Sequence, residues 1–135
     1  MIEVNNLTAV RLEEDFLKTI AKKVLTGENE KSLTLSIALV GRTEIKELNR
    51  KYRGKNKATD VLSFRYDDSG EVVICLAEVR KNAGDSASTF KRELCKVLIH
   101  GILHLSGYDH EKSQRDAEKM EEKQNHFLEI CQRLI

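Results

Sequence analysis

Val97-Leu98-Ile99-His100-Gly101-Ile102-Leu103-His104-Leu105-Ser106-Gly107-Tyr108-Asp109-His110 contains three of the four histidines of the chain, spaced H-x-x-x-H-x-x-G-x-x-H. An unbroken run of helix-compatible residues from Thr89 to Ser106 predicts a helix, and within it His100 and His104 lie one turn apart on the same face. Two imidazoles at that separation can grip one metal ion. Gly107 can enter the left-handed conformation, end the helix and turn the chain back, which positions His110 to close the site. Leu94, Cys95, Val97, Leu98, Ile99, Ile102, Leu103 and Leu105 wrap most of the helix circumference, so it is expected to be the central, most buried helix. Burial would fix the histidine rotamers as a preorganised site requires.

One histidine in an apolar helix is more often a hydrogen-bonded core residue than a ligand. Three in one short segment, the third reached through a glycine stop, favour a metal centre. Three nitrogens with no fourth protein ligand nearby describe a catalytic zinc site holding one ion, since a structural site is normally closed by four ligands. The same spacing occurs in the metzincin proteases, whose signature is H-E-x-x-H-x-x-G-x-x-H. Here Gly101 replaces the glutamate, and with it goes the proton acceptor of peptide hydrolysis. Gly101 costs the helix about 1 kcal/mol relative to alanine. Either a close approach by backbone, metal water or substrate, or a demand for a small residue in helix packing, accounts for it.

Outward from this helix the chain reads as α+β of the α/β type. Met1–Asn5 is extended, Thr8 is a cap candidate, and Val10 to Leu25 carries apolar residues at helical spacing. Residues 33–40 alternate large apolar with small side chains as a strand does, so the opening reads as β-α-β. A short helix is expected from Thr43 to Tyr52, then a basic loop from Arg53 to Ala58. Strands at 59–66 and 71–76, joined by Asp67-Asp68-Ser69-Gly70, suggest a hairpin. Ala77–Ala83 begins another helix and Gly84–Ser88 is a loop. A last helix starts at Ser113, with Ala117, Met120, Phe127, Leu128, Cys131 and Leu134 on its packed side and His126 on its surface. The expected architecture is one domain over residues 1–135, a roughly four-stranded mixed sheet with one antiparallel strand packed on helices.

At 135 residues, 40% hydrophobic and 33% charged, the chain falls in the ordinary globular class rather than the disordered one. Net charge is +1, but residues 42–57 concentrate seven basic side chains against two acidic ones. Cys75, Cys95 and Cys131 are odd in number and widely spaced, and read as apolar core residues of a reducing cytoplasm. The sequence shows neither a signal peptide nor an apolar run approaching about 18 residues, so a cytoplasmic protein without membrane contact is expected.

His100-Gly101-Ile102-Leu103-His104-Leu105-Ser106-Gly107-Tyr108-Asp109-His110 resembles the H-G-x-L-H-L-x-G-Y-D-H signature of the YbeY family of ribosomal RNA maturation factors. Leu48-Asn49-Arg50-Lys51-Tyr52-Arg53-Gly54-Lys55 and Thr59-Asp60-Val61-Leu62-Ser63-Phe64 are similar to its L-N-x-x-Y-R-x-K and T-D-V-L-S-F segments. Ala58 and Arg65 stand where the family commonly has proline, and Glu71 where aspartate is common. The resemblance implies a single-strand-specific, metal-dependent endoribonuclease acting in maturation of the 3′ end of the small-subunit 16S RNA and in ribosome quality control. It implies that His100, His104 and His110 bind zinc and that Arg53 is the basic, catalytic residue at the mouth of the cleft. Its partners would be single-stranded RNA, ribosomal RNA and the small ribosomal subunit, with ribosomal proteins or an assembly GTPase presenting the RNA.

Zinc on three neutral imidazoles can bring a bound water to a pKa of about 7 or act as a Lewis acid on a phosphoryl oxygen. Lys46, Arg50, Lys51, Lys55 and Lys57 could track a phosphate backbone with salt-sensitive, sequence-independent affinity. Aromatics are 5% of residues, so little base stacking is expected. Asp109 is open to three roles: base, orienter of a histidine, or cap of the turn. Tyr108 is expected to pack. Two other readings stand beside the endoribonuclease: a ribosome-associated RNA-binding factor with a structural zinc, and a metal hydrolase of another substrate class, which Gly101 argues against.

Overall fold

The alternating run at 33–40 forms strand β2 (Thr34–Val40), whose Leu35, Ile37 and Leu39 are fully buried on one face. A computed structural model describes residues 1–134 and sets β2 between β1 (Ile2–Asn6) and β4 (Ser69–Cys75), parallel to both. β3 (Val61–Arg65) pairs antiparallel with β4, giving the order β1-β2-β4-β3. The expected mixed sheet with one antiparallel strand is the one observed. Its hairpin turn is confined to residues 66–68, because Ser69 and Gly70 already pair with Thr34 and Leu35 and the Tyr66 amide donates to the Ser69 carbonyl at 2.8 Å.

Both faces of the sheet are covered. On one, α1 (Glu14–Gly27), α3 (Leu76–Asp85), α4 (Phe90–Leu105) and α5 (Gln114–Cys131) enclose the larger core with Leu35, Ile37, Leu39, Val72 and Ile74. On the other, α2 (Arg42–Arg53) lays Ile45 and Leu48 over Val40, Leu62, Val73 and Cys75. α4 is the central helix as expected, with Leu98, Ile99, Ile102 and Leu103 fully buried. Burying each such aliphatic side chain is worth about 1.5–3 kcal/mol, so this helix is anchored along its length. All three cysteines are free and buried, and burial pushes the Cys95 thiol up to about 12.

Two expectations are corrected. Thr8 does not cap α1, which starts only at Glu14. The Asn6 side chain accepts from the Thr8 amide and hydroxyl at 3.0 and 2.7 Å, and Thr8 Oγ1 accepts from the Val10 amide at 3.2 Å. These local side-chain bonds offer the backbone a turn in place of a helix. Leu134 lies beyond α5 in a short 3-10 turn (Gln132–Leu134) and is 39% exposed, so it does not extend the packed stripe. His126 is exposed as expected. Among the described residues no helix is long and apolar enough to cross a membrane.

Candidate metal centre

α4 begins where Thr89 Oγ1 accepts from the Arg92 amide at 3.1 Å, a side-chain cap that satisfies one of the free N–H groups of the first turn. From Glu93 onward only Lys96, His100 and His104 escape burial, each four residues from the next. The one open stripe of the helix therefore carries two imidazoles at its C-terminal end. There the Gly107 amide donates to the His104 carbonyl and the Tyr108 amide to the Leu103 carbonyl, both at 3.1 Å, with Gly107 at φ +99°. This paired closure needs a left-handed residue, which glycine supplies without steric cost. The reversed chain brings His110 back beside the pair.

The three rings form a triangle, with centroids 4.8 Å apart for His100–His104, 5.2 Å for His100–His110 and 5.1 Å for His104–His110. Their ligating nitrogens all lie within 4.8 Å of one another, a span that small ring rotations bring to the roughly 3.3 Å edge of a tetrahedral zinc site. Desolvation first, and then the neighbouring imidazoles, hold His104 down to about 4. Desolvation also lowers His100, partly offset by its hydrogen bond to Gln124. Both rings are thus kept in the neutral form that a metal requires. His100 Nδ1 sits 2.8 Å from Gln124 Oε1. An amide oxygen accepts, so Nδ1 carries the proton and the Nε2 lone pair is left free.

Gly101 has an unambiguous reason. A Cβ there would lie 2.8 Å from Val72 Cγ1, 3.1 Å from Val61 Cγ2 and 3.2 Å from Ser63 Oγ, while Ser63 donates to the Gly101 carbonyl at 2.8 Å. The close approach comes from the sheet. Position 101 is pressed against β3 and β4, so this helix has no room there for the metzincin glutamate. Asp109 is committed to the turn, its Oδ1 accepting from the Glu111 amide at 2.9 Å. Tyr108 packs on the main core as expected, and burial together with Glu28 pushes its phenol up to about 12.

The histidines open into a cleft of about 750 Å³. Its floor is β3, the edge strand on the free side of the sheet, and its far wall is the C-terminus of α2 with the loop that follows. Arg53, Lys55 and Lys57 line it, whereas Arg50 and Lys51 do not: Arg50 pairs with Glu47 at 3.6 Å, and the Lys51 ammonium is 5.3 Å from the Tyr52 ring centroid. Arg53 Nη2 lies 3.5 Å from Glu111 Oε1, which is itself 4.0 Å from His110 Nε2. Buried Asn49 braces the loop, its amide donating to the Lys57 carbonyl at 2.9 Å.

Gln124 and Glu111 escaped the sequence reading, and Asn49 and Ser63 entered it only as parts of the family-like segments, without a role. Arg65, noted only as standing where proline is usual, donates to the Leu105 carbonyl at 3.0 Å and to Glu30 at 2.9 Å. It thereby ties the cleft floor to the end of the histidine helix.

An α+β fold that gathers three imidazoles opposite a cationic wall defines an open site of the type that can hold a metal ion and receive an anionic substrate. The family model described as Endoribonuclease YbeY matches residues 2–132. The endoribonuclease YbeY of Persephonella marina is 39% identical over 127 residues, covering 87% of this chain and 83% of that protein. That of Petrotoga mobilis is 46% identical over 117 residues, covering 83% and 81%. The solution structure of a Thermotoga maritima protein superposes with a TM-score of 0.71 at 36% identity, covering 97% of this chain and 89% of that one. The chain belongs to the YbeY endoribonuclease family.

Proposed function

We propose that residues 1–135 form one catalytic domain, a zinc-dependent endoribonuclease specific for single strands. It acts in the cytoplasm at the 3′ end of the small-subunit 16S RNA and in ribosome quality control, with a ribosomal protein or assembly GTPase presenting the RNA. The observation that carries the reading is the juxtaposition, in one cleft, of His100, His104 and His110 with Arg53, Lys55 and Lys57. Family membership supplies the reaction class.

His100, His104 and His110 would hold the ion, and when bound it supplies Lewis acidity toward a phosphodiester. Gln124 keeps the His100 lone pair aimed at that point. Arg53, whose planar guanidinium matches phosphate in two-point contact, faces the same space. Glu111 holds it at 3.5 Å in the free protein, a largely exposed pair that phosphate can displace at little cost. Lys55 and Lys57 continue the phosphate track within the cleft, and Arg50 and Lys51 extend it along the outer surface of α2. Because the grip is on the backbone, affinity should fall with salt.

The test is cleavage by zinc-loaded protein of one RNA sequence offered single-stranded and as a duplex, beside a precursor small-subunit particle. Cleavage of the single strand, resistance of the duplex and trimming of the particle's RNA are expected. Equal cleavage of the duplex would contradict the single-strand reading, and inert RNA in all three forms would contradict the nuclease. The product ends identify the nucleophile, since a 2′,3′-cyclic phosphate comes only from attack by the ribose hydroxyl.

A further inference from the structure

Seven aromatic residues in the whole chain led to the expectation that base stacking contributes little. Two of the seven, however, stand together at the cleft. Tyr52 and Phe64 both line the cleft and meet edge to face, with ring centroids 5.2 Å apart and an interplanar angle of 67°. Phe64 is seated by the smaller core beneath α2, whereas Tyr52 is 58% exposed. Tyr52 thus presents an open aromatic ring within the cleft itself. Chain position adds to this: Tyr52 is the residue before Arg53, and the Lys51 ammonium adds a cation beside its ring.

We propose that Tyr52, backed by Phe64, is a stacking platform for one nucleobase of the single-stranded RNA, next to the phosphate held by Arg53. This rests on the endoribonuclease reading and adds a substrate subsite to it. The chemistry is complementary. Arg53, Lys55 and Lys57 take the backbone, and a rigid aromatic face takes a base of any identity, because every base presents a π-face. A paired strand keeps its bases stacked on each other and has none to offer. The subsite thus gives a physical origin for discrimination against duplex. Tyr66 provides an internal contrast. It is equally open at 59% but sits at the hairpin tip, away from the cleft lining.

The experiment compares wild type, Tyr52→Phe, Tyr52→Leu and Tyr66→Leu, each metal-loaded and checked for an unchanged thermal unfolding midpoint. Two quantities are read: steady-state cleavage of an unstructured RNA, and quenching of 2-aminopurine placed in turn at each position of that RNA on binding. Tyr52→Leu keeps apolar bulk against Phe64 without an aromatic face, so a structural role would be rescued by it. The expected result is a KM raised about tenfold in Tyr52→Leu with little change in kcat. Tyr52→Phe and Tyr66→Leu stay near wild type, and strong quenching at one RNA position disappears only in Tyr52→Leu. Wild-type behaviour of Tyr52→Leu in both measurements would overturn the platform, as would a Tyr52→Phe defect as large as that of Tyr52→Leu. If wild-type protein binds but does not cleave, the nuclease reading fails, and position-specific quenching still decides the platform. Absence of any RNA binding by wild type overturns both.

Discussion

Gln124 decides which nitrogen of His100 is free. Its amide oxygen, 2.8 Å from Nδ1, occupies that nitrogen and leaves Nε2 as the one free to bind a metal. Partners of this kind are typically worth 10- to 100-fold in metal affinity. Gln124→Leu, similar in volume, is therefore expected to weaken zinc binding by about that range in a chelator competition, while Gln124→Glu preserves it. Unchanged affinity in the leucine variant would mean that His100 is oriented by packing alone. Gln124 was detectable in the sequence as the polar residue at a core position between Met120 and Phe127, and a buried amide asks for a partner. Which partner could not be read, because α5 and α4 meet only in the fold. Gly101 teaches the same lesson. Its glycine was visible, but not the Val72 and Val61 methyl groups that require it. Both are β-branched and stiff, so Gly101→Ala should destabilise by about 1–3 kcal/mol, less the roughly 1 kcal/mol that alanine returns to the helix. A urea midpoint above that of wild type would refute the packing explanation.

At the scale of elements, the helices that carry their own start and stop signals were read to within a residue. α4 runs between Thr89 and Ser106, and α5 begins at Ser113, whose Oγ accepts from the Asp116 amide at 3.1 Å. α1 was misread because apolar spacing continued through Val10 and Leu12 while side-chain bonds around Asn6 had already turned the backbone. Those two residues still pack on the core, so periodicity reported burial correctly and conformation wrongly. The closure of α4 at Gly107 links element to site. Gly107→Ala forces a side chain into φ +99° at roughly 1–2 kcal/mol. Relaxing that strain moves the turn that carries His110. Zinc affinity should fall together with thermal stability, and a stability loss with undiminished affinity would show that His110 is positioned independently of the turn.

Across the whole molecule the sheet was legible because alternation and one largely apolar helix leave few ways to build two covered faces. The cleft was not. Its floor, its cationic wall and its histidines come from β3, from α2 and its loop, and from the end of α4, and periodicity does not say which of these share a rim. The YbeY resemblance joined Arg53 to the histidines before the fold did, but it could not separate Lys55 and Lys57, which line the cleft, from Arg50 and Lys51, which do not. Composition was equally silent on the aromatics, since a count of Tyr and Phe does not show Tyr52 and Phe64 meeting at the cleft. The central claim is that chemistry on RNA occurs at the three imidazoles. It is tested most directly by cleavage of a single-stranded RNA with zinc-loaded wild type and His104→Ala, purified identically and matched for folding, with zinc content measured on both. Cleavage and one bound zinc in the wild type, with both lost in the variant, is the predicted result; equal cleavage by the two proteins would contradict it.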